Sequence, residues 1–134
     1  MAQLVTRAEV RDHLMVDNNA VDPWIDMMIL AISGAVISWL KDEWRAYETQ
    51  VDSNGDPIED SNGDQFPILD SNGDPTTKPI VKAATLIEIA YQFRYRDGMG
   101  DHTATGDLYS GRYGYILSRG ATALLNGLRK STVK

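Results

Sequence analysis

The chain has 134 residues, enough for one domain with one modest core that hides roughly two-thirds of the unfolded surface, and too few for a second catalytic domain. It contains no cysteine, which excludes disulfides and thiolate metal sites. The net charge of -6 averages over two unlike poles: residues 47–75 hold eight acids and no base, while the last 27 residues hold five bases and no acid.

Thr6 and Glu9 form a capping box, and apolar Ala8, Val10 and Leu14 follow, so a short helix over residues 6–15 is expected. His13 falls in its last turn, where an imidazole meets the negative helix end rather than a substrate. No basic region followed by an apolar run opens the chain, so an intracellular product is expected. Asp17, Asn18 and Asn19 supply turn chemistry. Asp22 as a carboxylate cap and Pro23 at the first helical position then predict a long helix over residues 22–44. Between Trp24 and Leu40 this helix is apolar almost all round, and such a helix needs cover on every side. A membrane span is the weaker explanation. The stretch is only 17 residues, includes Asp26 and is followed by Lys41, Asp42 and Glu43. Burial between subunits is the better one, with Trp24, Met28, Ile32 and Trp39 as candidate interface residues.

The sequence DSNGD occurs three times, at 52–56, 60–64 and 70–74. Each copy centres on Asn-Gly, which accepts the positive φ angles of a type I′ hairpin turn, while Pro57, Pro67 and Pro75 confine any strand to an edge. The expected outcome is a β-hairpin or small meander inserted over residues 47–77, carrying Asp52, Asp56, Glu59, Asp60, Asp64, Asp70 and Asp74.

Pro79 opens the next helix, in which Ile80, Val81, Ala84, Ile87 and Tyr91 share a face as far as the arginines at 94 and 96 and the stop at Gly98. Residues 98–117 read as a long Gly- and Tyr-rich loop. A last helix over residues 118–130 places Leu117, Ala121, Leu124, Leu125 and Leu128 on one side and ends in Arg129 and Lys130. The fold class is therefore mainly α: a bundle of about four helices around one long central helix, with an inserted β-hairpin and a long loop before the C-terminal helix, all in one domain.

Catalytic chemistry is not visible. There is no thiol, no G-x-S-x-G turn and no phosphate-binding Gly-Lys-Ser/Thr, and the loop trio Asp101, His102 and Asp107 is a loose metal set of a kind that recurs by chance. Calcium is the more serious alternative, because Asp52, Asn54, Asp56 and Asp60 match positions 1, 3, 5 and 9 of a calcium loop. Pro57 stands where that loop needs glycine, and Gly63 where it needs a bidentate glutamate. A calcium-stabilised binding or adhesion module thus remains one alternative. A small nucleic-acid-binding accessory protein using the basic tail is another, against which the acidic pI of about 4.7 counts.

Three segments carry a resemblance: T-R-A-E-V-R-D-H-L at 6–14 leading to an Asp-rich turn and the Asp22 helix, K-P-I-V-K-A-A-T-L-I-E-I-A-Y at 78–91, and G-A-T-A-L-L-N-G-L-R at 120–129. In content and order the chain resembles the head-tail connector, or adaptor, proteins of long-tailed bacteriophages. The resemblance covers most of the sequence outside the DSNGD insert and the 98–114 loop, where it departs from the usual pattern. It implies a non-enzymatic virion subunit without cofactor, made in the host cytoplasm and assembled as a dodecameric ring between the portal protein and a tail-proximal stopper or tail completion protein. Genomic DNA would pass through the ring without sequence-specific binding, and no membrane is involved. On that expectation the acids of the insert rim the channel, where like charge keeps DNA from sticking, and Arg119, Arg129, Lys130 and Lys134 dock on the portal.

Overall fold

The computed structural model describes residues 3–94 and 117–131. Thr6 caps α1 (Arg7–Leu14) as the sequence predicts: its hydroxyl accepts from the Glu9 amide, and the Glu9 carboxylate accepts from the Thr6 amide. Met15 closes the helix in the left-handed conformation, φ 60°, with its amide reaching back to Arg11 and Asp12.

The second helix, α2 (Asp22–Leu40), differs from expectation at both ends. Val21 occupies the cap position and no side chain caps the helix. Asp22 instead turns to α1, where its carboxylate takes both ends of the Arg11 guanidinium, with Arg7 3.6 Å away. One turn further along, Asp26 takes Arg7 in the same two-pronged way. Two arginines four apart on α1 thus meet two aspartates four apart on α2, which fixes the corner between the helices. At the other end α2 stops at Leu40, four residues short of Trp44. Lys41 turns the chain at φ 79°, and residues Glu43–Ala46 form a separate 3-10 turn. The break is held by one local and one tertiary contact: Arg45 is drawn to Asp42 at 2.8 Å and to the distant Leu128 carbonyl at 3.2 Å.

After the insert come α3 (Pro79–Arg94) and α4 (Arg119–Leu125), the latter capped by the Ser118 hydroxyl and followed by a 3-10 turn at Asn126–Leu128. The core lies where α2, α3 and α4 meet, under the N-terminal segment. Ile25, Ile29, Ile32, Val36 and Leu40 from α2 pack there with Val81, Ala84 and Ile89 from α3, Ala121 and Leu125 from α4, and Leu4, Val5 and Val10. At Gly120 a side-chain carbon would stand 3.2 Å from the Ile87 methyl, so the missing Cβ sets how closely α4 lies on α3. Three buried polar groups are satisfied, two across the bundle and one within α3. The Leu4 amide donates to the Ser33 hydroxyl at 3.0 Å, the Ser118 amide to Glu88 at 3.0 Å, and the Thr85 hydroxyl to the Val81 carbonyl at 2.8 Å.

The expected mainly helical bundle of four helices is what forms. The inserted β-hairpin does not: among the described residues 47–77 holds no strand, only five isolated antiparallel bridges. The cause lies in the backbone bonds: successive residues turn to different partners, Gln50 donating to Phe66, Phe66 to Ile58 and Ile58 to Gln50, so no two segments run a continuous ladder. Proline adds to this in three bridges, Val51 with Pro57, Thr49 with Pro67 and Leu69 with Pro75, since it has no amide to give. Most of the expected 98–117 loop, and with it Asp101, His102 and Asp107, lies outside the described residues.

Candidate functional site

Each DSNGD copy builds the same turn. The Gly55 amide donates to the Asp52 carbonyl and the Asp52 amide to the Asp56 carbonyl, while one carboxylate oxygen of Asp52 accepts from both the Asn54 and Asp56 amides. Asp60 and Asp70 repeat the pattern. Glycines 55, 63 and 73 sit at φ 84°, 83° and 84°, and none of the preceding asparagines has a positive φ. The turns are therefore three-residue Ser-Asn-Gly loops ending in a left-handed glycine, not the two-residue type I′ turns the Asn-Gly pairs predict. The difference comes from the leading aspartate, whose side chain accepts the amide two residues on and draws Ser53 into the loop.

The three turns are joined by closed rings of backbone bonds. Gln50 donates to Phe66, Phe66 to Ile58 and Ile58 back to Gln50, at 2.8, 3.3 and 3.1 Å. A second ring runs from Glu48 to Thr76, Thr76 to Ile68 and Ile68 to Glu48, each at 2.8 Å. These rings supply the order that a sheet would otherwise give. The insert meets the body at a narrow neck, where Tyr47 bridges Thr77 and the Lys78 amide donates to the Ala46 carbonyl. Beside the neck, Asp70 and Asp74 of the third turn face Val5, Glu9 and Tyr47 across a groove of about 660 Å³.

All seven candidate acids, Asp52, Asp56, Glu59, Asp60, Asp64, Asp70 and Asp74, are exposed on this array. They do not converge: among the described residues no three His, Cys, Asp or Glu side chains gather as a metal ion requires. One oxygen of each leading aspartate is already engaged by two amides, so the turn is closed by its own backbone.

The candidate interface residues of α2 are placed differently. Ile32 is buried in the subunit's own core. Trp24 stacks edge-on against Phe93 at 5.5 Å, and Met28 and Trp39 are partly buried against the core. The side of α2 left open carries Met27, 58% exposed, Leu30, 37% exposed, and Ala31. By length and hydropathy α2 would suffice to cross a membrane, but its Ile25–Ile29–Ile32–Val36–Leu40 side belongs to the core.

Of the candidate docking bases, Arg119 and Lys130 are exposed, and Lys134 lies outside the described residues. Arg129 is committed within the subunit. Its Nε donates to the Trp39 carbonyl at 2.9 Å, its guanidinium lies 4.0 Å from the centre of the Trp39 ring, and the neighbouring Lys130 amide donates to the Leu40 carbonyl. α2 has no basic residue in its own last turn, so the C-terminal segment supplies the positive group that its end favours. On the other side of this junction Arg45 lies 4.5 Å over Trp44. The indole N–H groups of Trp39 and Trp44 are shielded there without a hydrogen-bond partner among the described residues.

Four titrating groups are shifted by these surroundings. The hydrogen bond between Arg7 and Asp26 raises the guanidinium and lowers the carboxyl. Burial pushes Glu9 up, but Lys82, bonded to it at 2.8 Å, and Thr6 outweigh it and the carboxyl ends below its ordinary value. Tyr47 is pushed up to about 12 by burial and by the adjacent Glu43.

No protein-family model matches this chain, and neither do any of the curated proteins or solved structures.

Proposed function

We propose that this chain is a structural, non-enzymatic subunit of the ring that joins the portal vertex of a tailed-phage head to the tail. The observation that carries the reading is the open side of α2. A helix apolar all round gives one side to its own core and leaves Met27, Leu30 and Ala31 in solvent. Cyclic assembly covers such a side by repeating one heterologous contact until the ring closes. The phage setting rests on the residue resemblance, and the three segments that carry it are those that form α1, α3 and α4.

In this reading the ring is dodecameric and lies between the portal protein and a tail-proximal stopper or completion protein, in a virion assembled in the host cytoplasm. The acids of the turn array rim the DNA channel. Arg119 and Lys130 reach the portal, with Lys134 beyond them, while Arg129 holds the end of α2. No cofactor and no membrane enter the scheme, and DNA passes without sequence-specific contact.

The test is electron microscopy of the purified protein mixed with its phage's portal. A ring of added density coaxial with the portal is expected. Portals that remain bare at excess protein, with the protein also absent from purified virions, would refute the assignment.

A further inference from the structure

Asn54-Gly55, Asn62-Gly63 and Asn72-Gly73 each place a side-chain amide directly before the residue whose backbone nitrogen is least shielded. In that arrangement the glycine nitrogen can attack the asparagine Cγ. The new N–Cγ bond closes a five-membered succinimide, the Cγ–Nδ2 bond breaks, and ammonia leaves with the proton lost by the glycine amide. Water then opens the imide at either carbonyl, giving aspartate or isoaspartate. No reactant beyond water is required.

The turns oppose the first step in a defined way. The attacking nitrogens are occupied: Gly55, Gly63 and Gly73 donate to the carbonyls of Asp52, Asp60 and Asp70 at 3.0, 3.1 and 3.0 Å. The asparagines are pinned as well, since their own amides donate to the Asp52, Asp60 and Asp70 carboxylates at 2.9, 2.8 and 2.9 Å. Around each glycine no other part of the described structure comes within 4 Å of where a Cβ would stand. No neighbouring segment crowds the glycines, and the protection visible at each copy is the set of hydrogen bonds of its own turn.

We propose that Asn54, Asn62 and Asn72 are three latent deamidation sites, each kept unreactive by its own turn and released separately when that turn opens. Each event replaces a neutral amide by a carboxylate in a segment that already holds eight acids and no base. Isoaspartate also lengthens the backbone by one methylene, which a turn closed by bonds between fixed positions does not accommodate, so an opened copy stays open. The inference concerns the turns alone and stands apart from the ring assignment.

The test is to incubate the full chain at mildly alkaline pH, natively and in urea, and to follow the three asparagines by peptide mass spectrometry. Native turns are expected to slow the reaction roughly tenfold or more at every copy, the factor set by the population of the locally opened turn. Asp52→Ala, Asp60→Ala and Asp70→Ala should each accelerate only the asparagine of their own copy. Equal rates in native and unfolded protein would overturn the proposal. So would variants that leave their own copy unchanged, or that speed all three copies alike while the helical signal is intact.

Discussion

Arg129 lies across the face of Trp39, 4.0 Å from the ring centre, and its Nε donates to the carbonyl of that same residue, ninety positions away in sequence. One side chain thus satisfies an end carbonyl of α2, places a positive charge at the negative end of the helix, and fastens the C-terminal segment to it. Arg129→Ala is therefore expected to lower stability by about 1–2 kcal/mol. Arg129→Lys keeps the charge but not the planar fork and should recover only part of the loss. Lys130→Ala, which leaves the backbone bond to Leu40 in place, should change stability by less than about 0.5 kcal/mol and weaken portal binding instead. Denaturant midpoints and portal co-sedimentation read the two effects separately.

The Leu4 amide and the Ser33 hydroxyl are both withdrawn from solvent, so each depends on the other. Ser33→Ala should cost about 1–3 kcal/mol by stranding a buried donor, despite the better helix propensity of alanine. Urea unfolding gives the magnitude, and faster hydrogen exchange at the Leu4 amide would locate it. A variant as stable as the parent would show that the N-terminal segment is not anchored through this bond.

Acid and alkali act on different groups. Glu9 and Asp26 have folded pKa values below their ordinary 4.5 and 3.8, so their stabilisation is present above those values and is lost as pH falls through the lowered ones. Tyr47 is shifted the other way, from 10.0 to about 12, so its contribution is complete below 10 and disappears as pH rises between the two. Glu9→Gln should flatten the acid limb of a stability–pH curve, and Tyr47→Phe the alkaline limb. An alkaline limb unchanged in Tyr47→Phe would remove Tyr47 as its source.

Met27→Glu with Leu30→Glu places two charges on the open side of α2 without touching the core. Folding stability should stay within about 1 kcal/mol of the parent, because both side chains are already substantially exposed. Incorporation into a ring on the portal should be lost. A double variant that still enters the ring would show that neighbouring subunits meet through another surface.

Local chemistry was legible in the sequence at the starts of two helices. Thr6 and Glu9 mark the start of α1, and Pro79 the start of α3. The end of α2 was not legible, because Arg45 and Arg129 act there through contacts between distant segments, and an arginine in a basic tail reads as a solvated charge. Nor could a helix apolar on every side announce which side is covered, so the periodicity that orients an amphipathic helix gave no direction here. Ile32 is buried for that reason and Met27 is open. In the insert the Asn-Gly pairs drew attention to themselves, while the aspartate two positions before each asparagine decided the turn. That signal was present in every copy. The rings linking Gln50, Ile58 and Phe66, and Glu48, Ile68 and Thr76, had no counterpart in local pattern, since they join backbones across two copies at once.

The insert leaves and re-enters the helical body at adjacent points, with Tyr47 bridging Thr77 and Lys78 bonded to Ala46. The spacing between the Ala46 turn and the Pro79 helix is thereby set locally, whatever hangs beyond it. Residues added at a turn tip would alter the reach and charge of the appendage while the helices kept their register, because lengthening an already closed loop adds little entropy, whereas loss of a whole DSNGD unit would break the backbone rings that join the three turns.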